Sequence, residues 1–136
     1  MSKKPNIRFR IDFAENSNIG PGKIDLLEAI KDRGSLSVSA RVLKLSYRRA
    51  WLLLDSLNKS FDKPVTINSV GGPGGGGAQV TEFGLLLIRR YRELESEISV
   101  ITNERLKDVL PRVSGSASAT KSSLRRTSLT KSRRRR

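Results

Sequence analysis

Two helical patterns in the middle of this chain are separated by only Lys44 and Leu45, and that spacing leaves few ways to fold the segment between Gly34 and Phe61. Ser35 and Ser37 are candidate N-caps for a short helix carrying Val38, Ala40 and Val42 or Leu43. Ser46 is a second cap. After it Ala50, Leu54, Leu57 and Phe61 recur at four, three and four, one buried stripe of a longer helix. Two helices joined so tightly must turn sharply, which is the spacing of a helix-turn-helix. With the stripe inward, Arg48, Leu52, Asp55 and Lys59 point outward, and Tyr47, Arg49 and Trp51 lie on the flanks. An indole between two apolar stripes is expected to pack rather than to read bases, so Trp51 is assigned to packing.

The flanking segments supply the rest of the fold. Residues 7 to 13, IRFRIDF, alternate Ile7, Phe9, Ile11 and Phe13 with Arg8, Arg10 and Asp12, the pattern of a half-buried strand. NSNIGPG reads as a loop. Ile24, Leu26, Leu27 and Ile30 then mark a helix from about residue 22 to 33, stopped by Gly34. Downstream of the helix pair, KPVTINSV is β-branched and strand-like. Six of the seven residues from Gly71 to Gly77 are glycine, and a short AQV strand follows. A Walker-type phosphate loop needs Lys-Ser or Lys-Thr after its last glycine, whereas Ala78-Gln79 stands here. Strands on both sides exclude a plain linker. The run therefore reads as the tip of a β-hairpin wing, where missing Cβ atoms let the backbone N–H groups of Gly74, Gly75, Gly76 and Gly77 approach a phosphate.

A last helix begins near Thr81. Phe83, Leu87, Tyr91, Leu94, Ile98 and Ile101 follow one another at four, four, three, four and three, a heptad seam from Leu87 onward. Leu85, Leu86 and Ile88 lie off the seam and can pack on the domain, while Glu93, Glu95 and Glu97 are expected to face away. A helix of about 28 residues would be ~40 Å long, more than a small winged domain covers. Leu87, Tyr91, Leu94, Ile98 and Ile101 are therefore assigned to a homodimer interface. Pro111 ends the helix, and the Ser, Thr and Arg-rich remainder is expected to be disordered. The predicted fold class is α+β, mainly helical: a winged helix-turn-helix with a long C-terminal dimerisation helix over residues 1–110, then a basic tail over 111–136.

Charge names the partner. The 136 residues hold 27 Lys+Arg and 13 Asp+Glu, a formal net of +14. Nine of the basic residues and none of the acidic ones follow Pro111, so residues 1–110 keep 18 against 13 and are still basic. A polyanion is the matching partner, and nucleic acid is the commonest one; with the helix-turn-helix, double-stranded DNA is the expected form. With no Cys and no His, disulfides, thiolate chemistry, imidazole acid–base catalysis and the usual zinc sites are excluded. No catalytic residue, metal or cofactor is expected, and the chain is not read as an enzyme. The apolar runs Leu52–Leu54 and Leu85–Ile88 are too short to span a bilayer, and the N-terminus lacks a signal-peptide core. The expectation is a soluble cytoplasmic, nucleoid-associated protein with no membrane contact.

GSLSVSARVLKLSYRRAWLLLDSLN followed by GGPGGGGAQVTEFGLLLIRRY resembles the N-terminal DNA-binding domain of the ModE family of molybdate-responsive transcriptional regulators. The matching features are Gly34-Ser35, Ser46-Tyr47-Arg48 with Ala50-Trp51, Asn58, the glycine-rich tip, and Thr81 with Gly84, within roughly residues 20 to 105. The helix-turn-helix part is similar, more loosely, to LysR-type regulators. Nothing in these residues corresponds to the family's molybdate-binding domains, so molybdate sensing is not carried over and no effector site is assigned. The resemblance implies a dimeric, sequence-specific regulator on a pseudo-palindromic operator; the rival reading is a nucleoid-type architectural protein with little sequence preference. In the recognition helix Arg48 and Arg49 have the forked donors to read guanine or grip phosphate, and Tyr47 would orient on a phosphate or sugar. Ser35, Ser37, Arg41 and Lys44 would hold the DNA backbone, the two serines by capping, by phosphate contact, or both.

Overall fold

The computed structural model describes residues 6–69 and 77–109. The chain divides into two compact units, Ile7–Ser96 and a second made of Met1–Asn6 with Glu97–Arg136. The fold is α+β and mainly helical, in the order β1 (Ile11–Ala14), β2 (Ser17–Ile19), α1 (Pro21–Arg33), α2 (Leu36–Val42), α3 (Tyr47–Lys59), β3 (Thr66–Ser69), β4 (Gly77–Val80) and α4 (Glu82–Leu106).

The first unit is organised around α1. Its Ile24, Leu26, Leu27 and Ile30 are fully buried and meet Leu36 and Ala40 of α2, Ala50 and Leu57 of α3, Val65, and Ala78 and Val80 of β4. α1 stops at Gly34, whose φ of 72° is left-handed and whose N–H closes on the Ile30 carbonyl. The Gly34 carbonyl in turn accepts from Ala78 N at 3.0 Å, so the end of α1 anchors the wing. β3 and β4 pair antiparallel from Thr66↔Val80 to Ser69↔Gly77. The expected hairpin after the helix pair is present, and its tip, with Gly74, Gly75 and Gly76, lies outside the described residues.

The N-terminal segment departs from the single strand expected over residues 7–13. Only Ile11–Ala14 is strand, and the expected loop after it supplies β2, paired as Ile11↔Ile19 and Asp12↔Asn18. Asn16, at a φ of 63°, makes the turn, a conformation its short amide side chain tolerates. The register shifts between Asp12 and Ala14, which breaks the alternation at Phe13. That ring is 53% exposed and meets Phe61 edge-on at 5.7 Å instead of entering the core.

α4 starts where Thr81 caps it. The Thr81 hydroxyl accepts from Gly84 N at 3.0 Å and donates to the Pro64 carbonyl at 2.7 Å. The buried positions are Gly84, Ile88 and Tyr91, one face at helical spacing. This corrects the assignment of Tyr91 to a partner interface. Its ring is 2% exposed, stacks on Phe9 at 4.6 Å, and its hydroxyl donates to the Phe9 carbonyl at 2.8 Å. Leu87 also packs partly on the core. Of the three residues expected to pack off the seam, Ile88 is buried but Leu85 is 39% exposed. Glu95, expected to face away, is drawn onto Arg92 at 2.8 Å.

In the second unit the described residues are Asn6 and 97–109. Helix α4 ends at Leu106, short of Pro111, in a turn closed by Val109 N on the Leu106 carbonyl at 2.9 Å. Val100, Ile101 and Leu106 are exposed there. Among the described residues no helix is long and apolar enough to cross a membrane.

Candidate nucleic-acid interface

The α2–α3 pair is built by short-range chemistry. Ser35 Oγ accepts from Val38 N at 3.2 Å and caps α2, with Ser37 Oγ beside it at 3.1 Å. Between the helices Lys44 takes a left-handed φ of 60°, and Leu45 N reaches back to the Ala40 carbonyl at 2.8 Å. Ser46 Oγ then accepts from Arg49 N at 3.0 Å and opens α3. Ala50 and Leu57 bury the inner stripe as its spacing predicts, while Leu54 and Phe61 pack partly against it.

What α3 leaves outside is the candidate interface. Tyr47, Arg48, Arg49, Trp51 and Leu52 are all exposed, as are Ser37, Arg41 and Lys44 before them; Ser35 is half-buried. From Gly34 to Leu54 there are four basic residues and no acidic one. The first carboxylate along α3, Asp55, is neutralised by Lys59 at 2.8 Å. Trp51 overturns its assignment to packing: it is 48% exposed among the described residues. Seven residues on, the same flank places Asn58 against the wing, where its amide accepts from Val65 N at 2.7 Å and donates to Thr66 Oγ1 at 3.1 Å. Asn58 fixes the wing to the helix it flanks. The chain's sequence marked the residue only through resemblance, since a half-buried amide bridge has no periodic signature.

On the other flank of α3, Ser56 Oγ receives a hydrogen bond from Lys23 Nζ at 2.9 Å. The same ammonium bonds the Asn18 carbonyl and Asn18 Oδ1, both at 3.0 Å, tying β2, α1 and α3 together. Burial, then the nearby charges of Arg10 and Arg49, hold Lys23 below the ordinary ammonium range. Lys23 spends its donors on the fold. Of the two cations that act on Lys23, Arg10 is paired with Asp12 at 2.7 Å.

The glycine expected at the base of the wing tip, Gly77, lies in β4 opposite Ser69, with Gly34 O 3.2 Å from where a Cβ would stand. Among the described residues of the hairpin, Ile67, Asn68 and Gln79 are exposed. Of the seam residues proposed to meet a partner, Leu94 is 36% and Ile101 56% exposed, and Ile98 is half-buried.

No family model matches the chain. It is 35% identical over 108 residues to the molybdenum transport protein ModE of Azotobacter vinelandii, a match covering 79% of this chain and 40% of that protein. It is 40% identical over 100 residues to the molybdenum-pterin-binding protein MopA of Rhodobacter capsulatus, covering 73% of this chain and 38% of that one. With the transcriptional regulator ModE of Haemophilus influenzae it shares 32% over 93 residues, 68% of this chain and 36% of the relative. The chain thus spans about two-fifths of the length of these curated relatives.

Proposed function

We propose, from the premise that this chain is homologous to the N-terminal region of ModE, that it binds duplex DNA site-specifically as a homodimer and regulates transcription. The observation that carries the reading is the exposed first half of α3, capped by Ser46, set in an acid-free stretch with a hairpin wing beside it. Arg48 and Arg49 read base edges or grip phosphate and Tyr47 orients against the backbone. Ser35, Ser37, Arg41 and Lys44 position the helix pair on phosphates, and Gly74 to Gly77 meet flanking phosphates through backbone N–H groups. Leu94, Ile98 and Ile101, with Leu87 at the edge of the core, form the partner seam; Tyr91 is left out of it.

Selection of bound sequences from random duplex DNA tests this directly. An inverted repeat, recovered with a protein that sediments as a dimer, is the expected result. A monomer that retains all duplexes alike overturns it and leaves the architectural reading. The molybdenum in the relatives' names makes molybdate the first effector to add to the binding assay.

A further inference from the structure

We propose that α3 recognises thymine through its C5-methyl group, with Leu52 and Trp51 as the apolar contacts; this rests on the DNA-binding reading above. Tyr47 is 57%, Trp51 48% and Leu52 43% exposed, all within the first two turns of α3. Leu52 stands one helical turn from Arg48, and Trp51 one turn from Tyr47, so the four side chains form two adjacent rows on one side of the helix. Three large apolar or aromatic groups facing water are a cost unless a partner covers them.

The surroundings identify that partner. Arg48 and Arg49 share the first turn of α3 with Tyr47, Arg41 and Lys44 come just before it in the chain, and no carboxylate stands between Gly34 and Asp55. That charge pattern complements a polyanion and disfavours an ordinary protein surface of mixed charge. In the major groove of duplex DNA each base pair offers donors and acceptors, and the single apolar group on display is the thymine methyl. A cationic helix with an uncovered leucine and indole at its reading end is matched to that feature. Arg48 would take the hydrogen-bonding edge of one base while Leu52, a turn further along, covers the methyl of a neighbouring thymine.

The test uses the full chain and the best duplex from the selection. Each thymine of a half-site is replaced in turn by deoxyuridine, which removes the methyl and keeps the pairing. Wild-type affinity should fall about fourfold at one or two positions, the effect of one buried methyl-sized group. Leu52→Ala or Trp51→Ala should bind more weakly yet no longer distinguish thymine from deoxyuridine at the matching position, a coupling read from the double-mutant cycle. Trp51 is the chain's one tryptophan, so its fluorescence gives a second readout: access of acrylamide should drop on binding the thymine duplex and drop less with the deoxyuridine one. Equal wild-type affinity for every deoxyuridine duplex overturns the inference while the DNA-binding reading stands. Unchanged discrimination in both variants also overturns it, because the methyl contact would then lie elsewhere. If no duplex is preferred over any other, the DNA-binding reading falls first.

Discussion

Gly84 brings α4 so close to the entry of β3 that a Cβ there would run into the Val65 carbonyl oxygen and Val80 Cγ1. The carbonyl cannot retreat, because it accepts Thr81 N at 2.9 Å as part of the same cap. Gly84→Ala should therefore destabilise the protein by about 1–3 kcal/mol, the usual cost of over-packing, seen as a lower denaturation midpoint. Ser39 presents the reverse case. It is 0% exposed among α2's core contacts, and its hydroxyl has no hydrogen-bond partner among the described residues. Removing that oxygen relieves a desolvation penalty of about 1 kcal/mol or more, so Ser39→Ala should raise the midpoint. A change of one heavy atom at each position moves stability in opposite directions, since one site lacks space and the other lacks a partner.

Between elements, the strongest polar tie is made by Arg92 of α4. Its guanidinium bonds Glu28 at 2.6 and 3.1 Å, Asp25 at 2.9 Å and Glu95 at 2.8 Å, joining α4 to α1. The Arg92 hydrogen bond, with its charge, holds Glu28 below the ordinary carboxylate range, and the carboxylates push Arg92 up. A depressed carboxylate stabilises the fold at pH above its unfolded value of about 4.5 and loses that contribution as pH falls through the folded value. Thermal scans of wild type and Arg92→Met should accordingly differ most near neutrality and converge as the solution is acidified below pH ~4.5. A gap independent of pH would assign the loss to packing alone. The latch also marks where sequence reading stops. Caps, the Gly34 stop and the Lys44–Leu45 turn are local chemistry within five residues, and they are legible in the sequence. Periodicity says which residues share a face but not what covers it. Tyr91 fits the heptad seam, yet Phe9, 82 positions away, claims it. Trp51 fits a packed flank, yet it is 48% exposed among the described residues. Arg92 carries no mark in the sequence of its tie to α1, because Glu28 and Asp25 sit 64 and 67 positions upstream.

For the molecule as a whole, the formal charge of +14 is shared unequally: residues 1–110 carry 18 basic and 13 acidic groups, and 112–136 carry nine basic groups alone. In the proposed function these two populations would act on DNA in different ways. The cations around α3 are fixed by a folded backbone, so their contribution depends on which base edges and phosphates lie opposite. The nine basic residues after Pro111 stand mostly among Ser and Thr and have no acidic neighbour, so in the proposed function they neutralise phosphates whatever the sequence. Each phosphate neutralised releases counterions and steepens the dependence of log affinity on log salt by about 0.9. Deleting residues 112–136 should therefore flatten the salt slope by as much as about 8 and weaken selected and scrambled duplexes in parallel. The ratio between them at any one salt should stay the same. Titrations of both duplexes at several salt concentrations, with full-length and shortened protein, separate these effects. If the ratio collapsed along with the slope, the tail would be the seat of whatever preference exists, and the account of α3 as the reading element would give way to a charge-driven coat.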